Sequence, residues 1–189
     1  MRDKLKILAF AGSLRRGSFN RMLLQQMVAL APAEAVVEGF DLVSLPFYNG
    51  DLEGDLPEPV RVWKEKIRQA DGILIATPEY NYSIPALTKN AIDWGTRPPT
   101  DNAWKGKPVG IMGASNGRFG TVRCQQHLRN VLFAANTHVM NTPEVMISQA
   151  ESAFDIEGNL VDDKARQQLQ KFWSSLVVWV RRFSGERLG

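Results

Sequence analysis

Short apolar runs alternate with longer amphipathic segments along the chain, and this alternation limits the folds that the sequence can form. The runs Lys6–Ala11 (KILAFA), Gly72–Thr77 (GILIAT) and Pro108–Met112 (PVGIM) have almost no polar positions, which is typical of strands buried on both faces. Segments with apolar residues at helical spacing separate them, for example Asn20–Leu30 and Thr121–Ala135. Because parallel strands need crossover connections, the pattern predicts a parallel sheet with helices on both faces.

Two weaker strand candidates complete the predicted sheet. Val36–Val43 follows the first helix, and His138–Met146 precedes a long final helix, Leu160–Phe183. Pro143 places the last strand at a sheet edge, since proline cannot donate a hydrogen bond to a central ladder. With no linker or repeat in its 189 residues, the chain fits one α/β domain over residues 1–189. The prediction is a flavodoxin-like, doubly wound, five-stranded parallel sheet in the order 2-1-3-4-5.

The composition disfavours several classes of protein. A net charge of +3 is too small for the basic face of a dedicated nucleic-acid binder. The single cysteine, Cys124, excludes a disulfide framework, and its helical surroundings predict a buried thiol that packs as a small hydrophobe. His127 and His138 are not at zinc-ligand spacing, so no metal site is expected. The apolar run Ile7–Ala11 is too short for a secretory signal and no run is long enough for a bilayer, so we expect a cytoplasmic protein without a membrane partner.

The loop after the first strand, Gly12–Asn20 (GSLRRGSFN), has the composition of a phosphate-binding loop. Its glycines let the backbone turn N–H groups inward, and the following helix N-terminus adds partial positive charge. Ser13, Ser18 and Asn20 supply short polar side chains. The P-loop lysine and the G-x-G-x-x-G pattern are both absent, which disfavours nucleoside triphosphates and favours a monophosphate. A simple turn and cap, with the Arg15–Arg16 pair as solvated charges, stays open as the alternative.

The loops after the third and fourth strands favour a flat heterocyclic ligand. Thr77–Pro85 (TPEYNYSIP) combines aromatic and amide side chains, which suit the faces and edges of a planar ring system. The glycines of Gly113–Gly120 (GASNGRFG) permit close backbone approach, although a flexible surface turn has the same composition. Glu79 has no identifiable partner for acid–base work, so no catalytic residue is predicted. Ser83 is expected to cap the next helix, and Trp104 to pack in the core or border the site.

The loop motifs Gly12–Asn20 and Pro78–Pro85, followed by Lys89–Trp94 (KNAIDW), resemble the NADPH-dependent FMN reductase family, most closely its bacterial quinone and chromate reductase branch. The resemblance extends from the first strand to about residue 145. It implies FMN as the cofactor and NADPH or NADH as the co-substrate, with the flavin carrying the redox chemistry. It also implies that the FMN phosphate is held by Ser13, Arg15, Ser18 and Asn20, that the isoalloxazine is lined by Pro78, Glu79, Tyr80, Asn81 and Tyr82, and that Ser115 and Gly117 approach it from the fourth strand.

The activity implied by the resemblance is a ping-pong transfer of hydride from NAD(P)H to FMN and on to a small acceptor. The acceptor would be a quinone, free flavin or a metal oxyanion such as chromate, and the expected assembly is a homodimer or homotetramer. Two alternatives stay open: a flavodoxin-like FMN electron carrier that does not oxidise NAD(P)H, and a phosphate-binding protein without redox function. Such carriers are typically strongly acidic, and the net charge of +3 weighs against the first alternative.

Overall fold

The computed structural model describes residues 4–184, which form one parallel sheet with α-helices on both faces. The strands are β1 (Leu5–Ala11), β2 (Ala35–Gly39), β3 (Gly72–Ala76), β4 (Pro108–Ala114), β5 (His138–Val139) and β6 (Val145–Ile147). The helices are α1 (Phe19–Ala29), α2 (Glu58–Gln69), α3 (Ala86–Thr96), α4 (Val122–Ala134), α5 (Ala150–Ala153) and α6 (Asp163–Ser184). The order is β2-β1-β3-β4-β5 with β6 also paired to β4, which confirms the predicted flavodoxin-like topology.

The sheet separates two apolar clusters, and the alternation of side chains along each strand supplies both. In β3, Leu74 points into one cluster and Ile75 into the other, and both are fully buried. Helices α1 and α6 cover the first face, through residues such as Leu23 and Leu176. Helices α2, α3 and α4 cover the second face, where Trp63 of α2 is fully buried. Each buried leucine or isoleucine contributes about 1.5–3 kcal/mol, so the apolar strand cores hold the layers together.

The predicted fifth strand, His138–Met146, is wrong as a single element because it is divided into β5 and β6. Pro143 lies in the break, and it has no backbone N–H to donate to a neighbouring strand. Both pieces pair with β4, Val139 opposite Val109 and Val145 opposite Met112. As a result β6 runs beside the carboxyl half of β4 and brings the chain that follows it close to the loop after β4.

Two further boundaries differ from prediction because an aspartate caps a turn. The second strand was predicted over Val36–Val43 but ends at Gly39, and the Asp41 carboxylate accepts a backbone hydrogen bond of 3.1 Å that starts a short 3-10 turn. The final helix begins only at Asp163, because the Asp162 carboxylate accepts hydrogen bonds of 2.8 and 3.1 Å from two N–H groups of its first turn.

Two tryptophans define the core beneath α3. Trp104 is fully buried, with its ring centroid 6.1 Å from that of Trp63, so it packs in the core and does not border the site. Ala91, Ile92 and Trp94 of α3 are also buried in this cluster. Over residues 4–184, no helix combines the length and the apolar character needed to cross a bilayer.

Candidate functional site

The carboxyl ends of β1, β3 and β4 meet around an open cleft of about 290 Å³. The loops that follow these three strands supply its walls, as expected for a parallel α/β sheet. The lining residues are Ser13, Arg15, Ser18, Phe19, Asn20, Pro78, Glu79, Tyr80, Ala114, Ser115 and Asn116. Of the residues predicted to contact a ligand, Asn81, Tyr82 and Gly117 are not among those that line the cleft.

Two glycines allow the three loops to approach one another. A Cβ on Gly12 would overlap the hydroxyl of Thr88 and lie 3.3 Å from Cδ of Pro78. A Cβ on Gly113 would lie 2.6 Å from the backbone oxygen of Thr77. Both positions therefore exclude a side chain, and the tip of β3 lies in direct contact with the tips of β1 and β4.

Ser18 occupies the N-cap position of α1 without capping the helix. Its side chain makes no hydrogen bond to the first turn, although the residue is only 2% exposed. The backbone N–H groups of Phe19 and Asn20 also have no partner among the hydrogen bonds of residues 4–184. A hydroxyl and two N–H groups at the positive end of a helix form an anion-binding corner of the cleft.

Ser13 connects the loop after β1 to the loop after β3. Its hydroxyl accepts a hydrogen bond from the backbone N–H of Arg15 at 3.3 Å and lies 3.3 Å from the phenol oxygen of Tyr80. The guanidinium of Arg15 lies over the ring of Phe19, 5.6 Å from its centroid. Arg15 is exposed and lines the cleft together with Ser18 and Phe19, so its positive charge lies near the free groups of α1.

Asn20 has a structural partner that the sequence does not reveal. Its Nδ2 donates to the backbone oxygen of Ala114 at 2.9 Å, and its Oδ1 accepts from the backbone N–H of Ala114, also at 2.9 Å. Both residues are 2% exposed, and 94 positions separate them in the chain. The amide therefore joins the start of α1 to the tip of β4, and its predicted phosphate contact stays a prediction.

Glu79 braces the loop after β3 against α4. Its Oε2 accepts hydrogen bonds of 3.0 Å from the backbone N–H groups of Arg123 and Cys124, and Oε1 accepts one of 3.3 Å from the Arg123 guanidinium. The carboxylate thus caps the N-terminus of α4 and is only 9% exposed. A carboxylate held in this way positions the loop, and its contribution to ligand contact would come from its backbone.

The residues after Glu79 form a tight hairpin turn. Tyr80 and Ser83 exchange two backbone hydrogen bonds of 3.1 and 2.9 Å, and Asn81 and Tyr82 between them have φ angles of 50° and 64°. Left-handed backbone at two successive non-glycine residues is the geometry of a type I′ turn and costs free energy at a tyrosine. The Arg123 guanidinium lies over the Tyr82 ring, 4.2 Å from its centroid, and offsets part of that cost.

Ser83 does not cap α3, so that prediction is wrong. Pro85 occupies the N-cap position, and the Ser83 backbone is already engaged in the hairpin. The hydroxyl of Ser83 lies instead 3.0 Å from Nδ1 of His127 on α4. The hairpin and Glu79 before it are therefore held against α4 by Glu79, by Ser83 and by the contact of Tyr82 with Arg123.

The loop after β4 is stabilised by α5, an element too short to show a helical period in the sequence. Asn116 donates to the Glu151 carboxylate at 3.1 Å and accepts from the Glu151 backbone N–H at 2.9 Å. The Ser115 hydroxyl accepts the N–H of Gly117 at 3.0 Å, which closes the turn. This loop is thereby braced by the segment that follows β6.

Cys124 lies behind the cleft in a buried position. Burial raises the pKa of its thiol to about 11, and its sulfur lies 3.6 Å from the hydroxyl of Thr77. At neutral pH it is therefore a protonated core residue, in line with the expectation of a small hydrophobe. Across residues 4–184, no group of three or more histidine, cysteine, aspartate or glutamate side chains is arranged to hold a metal ion.

Comparison with known proteins shows the family of the chain. The chain matches the NADPH-dependent FMN reductase family over residues 5–152, which extends from β1 into α5 and includes all three loops. An NAD(P)H-dependent FMN reductase from Pseudomonas aeruginosa is 48% identical, covering 98% of this chain and 100% of its own length. A 2-hydroxy-1,4-benzoquinone reductase from Burkholderia sp is 44% identical, covering 94% of this chain and 97% of its own.

A solved structure agrees with these relatives. FerB, a flavoenzyme NAD(P)H:(acceptor) oxidoreductase from Paracoccus denitrificans, superimposes with a TM-score of 0.88 at 37% identity, covering 95% of this chain and 98% of that one. The similarities favour an enzyme over an electron carrier or a protein that merely binds phosphate. The chain belongs to the NADPH-dependent FMN reductase family.

Proposed function

We propose that this enzyme passes hydride from NADPH or NADH through bound FMN to a small acceptor, and that a quinone is the main class of acceptor. The observation that carries the proposal is the cleft itself, in which an anion-binding corner adjoins an aromatic hairpin at the carboxyl ends of β1, β3 and β4. Family membership supports FMN as the occupant of this cleft.

The donor set of the cleft fits a flavin mononucleotide. The hydroxyl of Ser18, the first N–H groups of α1 and the Arg15 guanidinium are suited to hold a dianionic phosphate, together with Ser13. The backbone of Pro78–Tyr80 and the loop at Ser115 line the cleft and are suited to hold the ring system, and the contacts of Asn81, Tyr82 and Gly117 with it stay part of the proposal. The left-handed turn supports this assignment, since strained backbone of this kind clusters at ligand sites.

Bound FMN supplies the redox chemistry, namely acceptance of hydride from NAD(P)H and delivery of two electrons to the acceptor. The chain's residues bind and orient: Ser18 and the N-terminus of α1 anchor the phosphate, while Asn20 and Glu79 hold the surrounding loops in place. The open cleft supports successive use of the same space by NAD(P)H and the acceptor, hence a ping-pong order.

The proposed acceptors are supported by a named relative and by the positive charge of the loops around the cleft. The quinone reductase named among the relatives supports a quinone. Free flavin and a metal oxyanion such as chromate are further acceptors in this proposal, because the exposed arginines Arg15, Arg16 and Arg118 favour anionic ligands.

The proposal extends to assembly and location. We infer a homodimer or homotetramer, supported by large apolar side chains that are mostly exposed in the single chain, among them Phe47 and Phe133, each 82% exposed. Light scattering after gel filtration tests this, and a particle of 21.2 kDa would contradict it. The location would be cytoplasmic, where NAD(P)H is regenerated, and cell fractionation tests that.

Steady-state turnover tests the activity. FMN-loaded protein should oxidise NADPH continuously with 1,4-benzoquinone, and double-reciprocal plots at several quinone concentrations should be parallel. Anaerobic NADPH alone should bleach the flavin absorbance. Oxidation that stops after one equivalent of NADPH would favour the electron carrier, and lines that intersect would refute the ping-pong order.

A further inference from the structure

A second concavity, of about 410 Å³, adjoins the cleft at the tips of β1 and β2. One wall is a stripe of α1 side chains spaced one helical turn apart, and the other is the end of β2 with the residues after it. The lining residues are Ala9, Ala11, Ser13, Arg21, Leu24, Gln25, Val28, Gly39, Phe40 and Asp41. Ser13 belongs to both cavities, so a single extended ligand can reach from one into the other.

The interior of this concavity is apolar, and none of the side chains around it fills the space. Ala9 and Gly39 are too small to occupy the space between the strands and α1, while Leu24 and Val28 form its wall. Val28 lines the concavity and is 47% exposed, so part of this apolar wall is open to solvent. A volume of about 410 Å³ is in the range of small-molecule sites, and the apolar interior suits one face of an aromatic base.

Two opposite charges face each other at its mouth without forming a close ion pair. The Arg21 guanidinium and the Asp41 carboxylate are 4.0 Å apart, and their side chains are 43% and 57% exposed. The other oxygen of Asp41 accepts a hydrogen bond of 3.1 Å from the backbone N–H of Val43, which orients the carboxylate. Both groups therefore keep hydrogen-bonding capacity for a ligand.

We propose that this concavity binds the adenosine half of NAD(P)H, an inference that rests on the proposed function. A carboxylate can accept hydrogen bonds from the two ribose hydroxyls of NADH, and a guanidinium can bind the 2′-phosphate of NADPH. Asp41 follows β2 at this tip, and Arg21 faces it from α1. Asp41 thus favours NADH and Arg21 favours NADPH, so the two residues together set the ratio of the affinities for NADH and NADPH.

Binding of two redox-inactive probes tests the site directly. Titration calorimetry on FMN-loaded protein would compare 2′-phospho-ADP-ribose with ADP-ribose, in the wild type and in Arg21→Ala, Asp41→Ala and Arg61→Ala. Arg61 is an exposed arginine of α2, paired with Asp55, and serves as the control for the loss of one positive charge. Neither probe contains nicotinamide, so the readout does not depend on hydride transfer.

Arg21→Ala should weaken 2′-phospho-ADP-ribose about tenfold or more and ADP-ribose less than about threefold. Asp41→Ala should weaken ADP-ribose and strengthen 2′-phospho-ADP-ribose, whereas Arg61→Ala should match the wild type. Failure of the wild type to bind either probe, or equal affinities in Arg21→Ala and the control, would overturn the adenosine site.

The KM values for NADPH and NADH separate this inference from the proposed function. Arg21→Ala should raise the KM for NADPH relative to that for NADH. If the wild type oxidised neither nucleotide, the proposed function would fail while the binding data still decided the site. If it oxidised both and the ratio in Arg21→Ala were unchanged, the adenosine site alone would fail.

Discussion

Asn20 and Ser18, two polar residues at the start of α1, should respond to truncation in opposite ways. Both were predicted to hold the phosphate, but Asn20 is hydrogen-bonded through both amide atoms to Ala114, whereas Ser18 has no hydrogen bond to the helix. Asn20→Ala leaves a buried N–H and a buried carbonyl oxygen without partners. At about 1–3 kcal/mol for each unpaired group, partly offset by relaxation, the free energy of unfolding should fall by about 2–4 kcal/mol.

Ser18→Ala should affect the cofactor more than the fold. Its hydroxyl makes no cap, so the apo protein should lose less than about 0.5 kcal/mol. Loss of a hydrogen bond to a charged phosphate should weaken FMN binding about tenfold or more. At a fixed excess of FMN, a tenfold weaker Kd reduces the stabilisation by the ligand by about 1.4 kcal/mol.

Urea unfolding of the apo and FMN-loaded proteins measures both quantities in one experiment. The isosteric variant Asn20→Asp is a stringent companion, because a carboxylate still accepts the Ala114 N–H but opposes its carbonyl oxygen. It should be at least as destabilised as Asn20→Ala. Apo Asn20→Ala with wild-type stability, or apo Ser18→Ala destabilised as strongly as Asn20→Ala, would refute the division of roles.

Three further outcomes concern the buried side chains of Glu79 and Cys124 and the exposed carboxylate of Asp101. Glu79→Gln keeps the shape of the α4 cap but removes its charge, so the free energy of unfolding measured in urea should fall by about 1–2 kcal/mol. Unchanged stability would contradict the role of Glu79 in holding the loop after β3 against α4. The Cys124 thiol, with its pKa raised to about 11 by burial, should stay unreactive to Ellman's reagent at pH 8 until the protein is denatured; rapid native labelling would count against a buried thiol. Partial burial acts to raise the pKa of Asp101, but hydrogen bonds from Lys64 and Arg68 outweigh it and lower the pKa. The ionised Asp101 carboxylate therefore stabilises the fold above its unfolded pKa of about 3.8, and this contribution is lost as the pH falls through the lower folded pKa. In urea titrations at several pH values, Asp101→Asn should reduce the loss of stability in acid.

The sequence predicted the layers and the strand tips well because both depend on local patterns. Apolar runs such as Gly72–Thr77 are recognisable without knowledge of their neighbours, and the ends of parallel strands meet at one edge by topology. The three loops that form the cleft could be predicted from these strand ends. The division of the fifth strand at Pro143 was harder to predict, because apolar residues typical of a strand lie on both sides of the break.

The partners of the polar side chains were not predictable, because they depend on contacts between distant parts of the chain. Nothing near Asn20 in the sequence indicates that Ala114 will satisfy its amide, or that Glu79 will cap a helix 44 positions later. Serine is a common N-cap residue, yet the backbone of Ser83 is hydrogen-bonded to Tyr80 in the hairpin turn. Residue type therefore indicated where polar chemistry lies, and tertiary structure decided which groups stay free for a ligand.

The crystal structure of the complex with FMN is the most direct test of how the cofactor is bound. The phosphate should lie within hydrogen-bond distance of the Ser18 hydroxyl and the first N–H groups of α1, with the isoalloxazine against the Tyr80–Ser83 hairpin. A phosphate held elsewhere, with residues 12–20 turned away from it, would contradict the account.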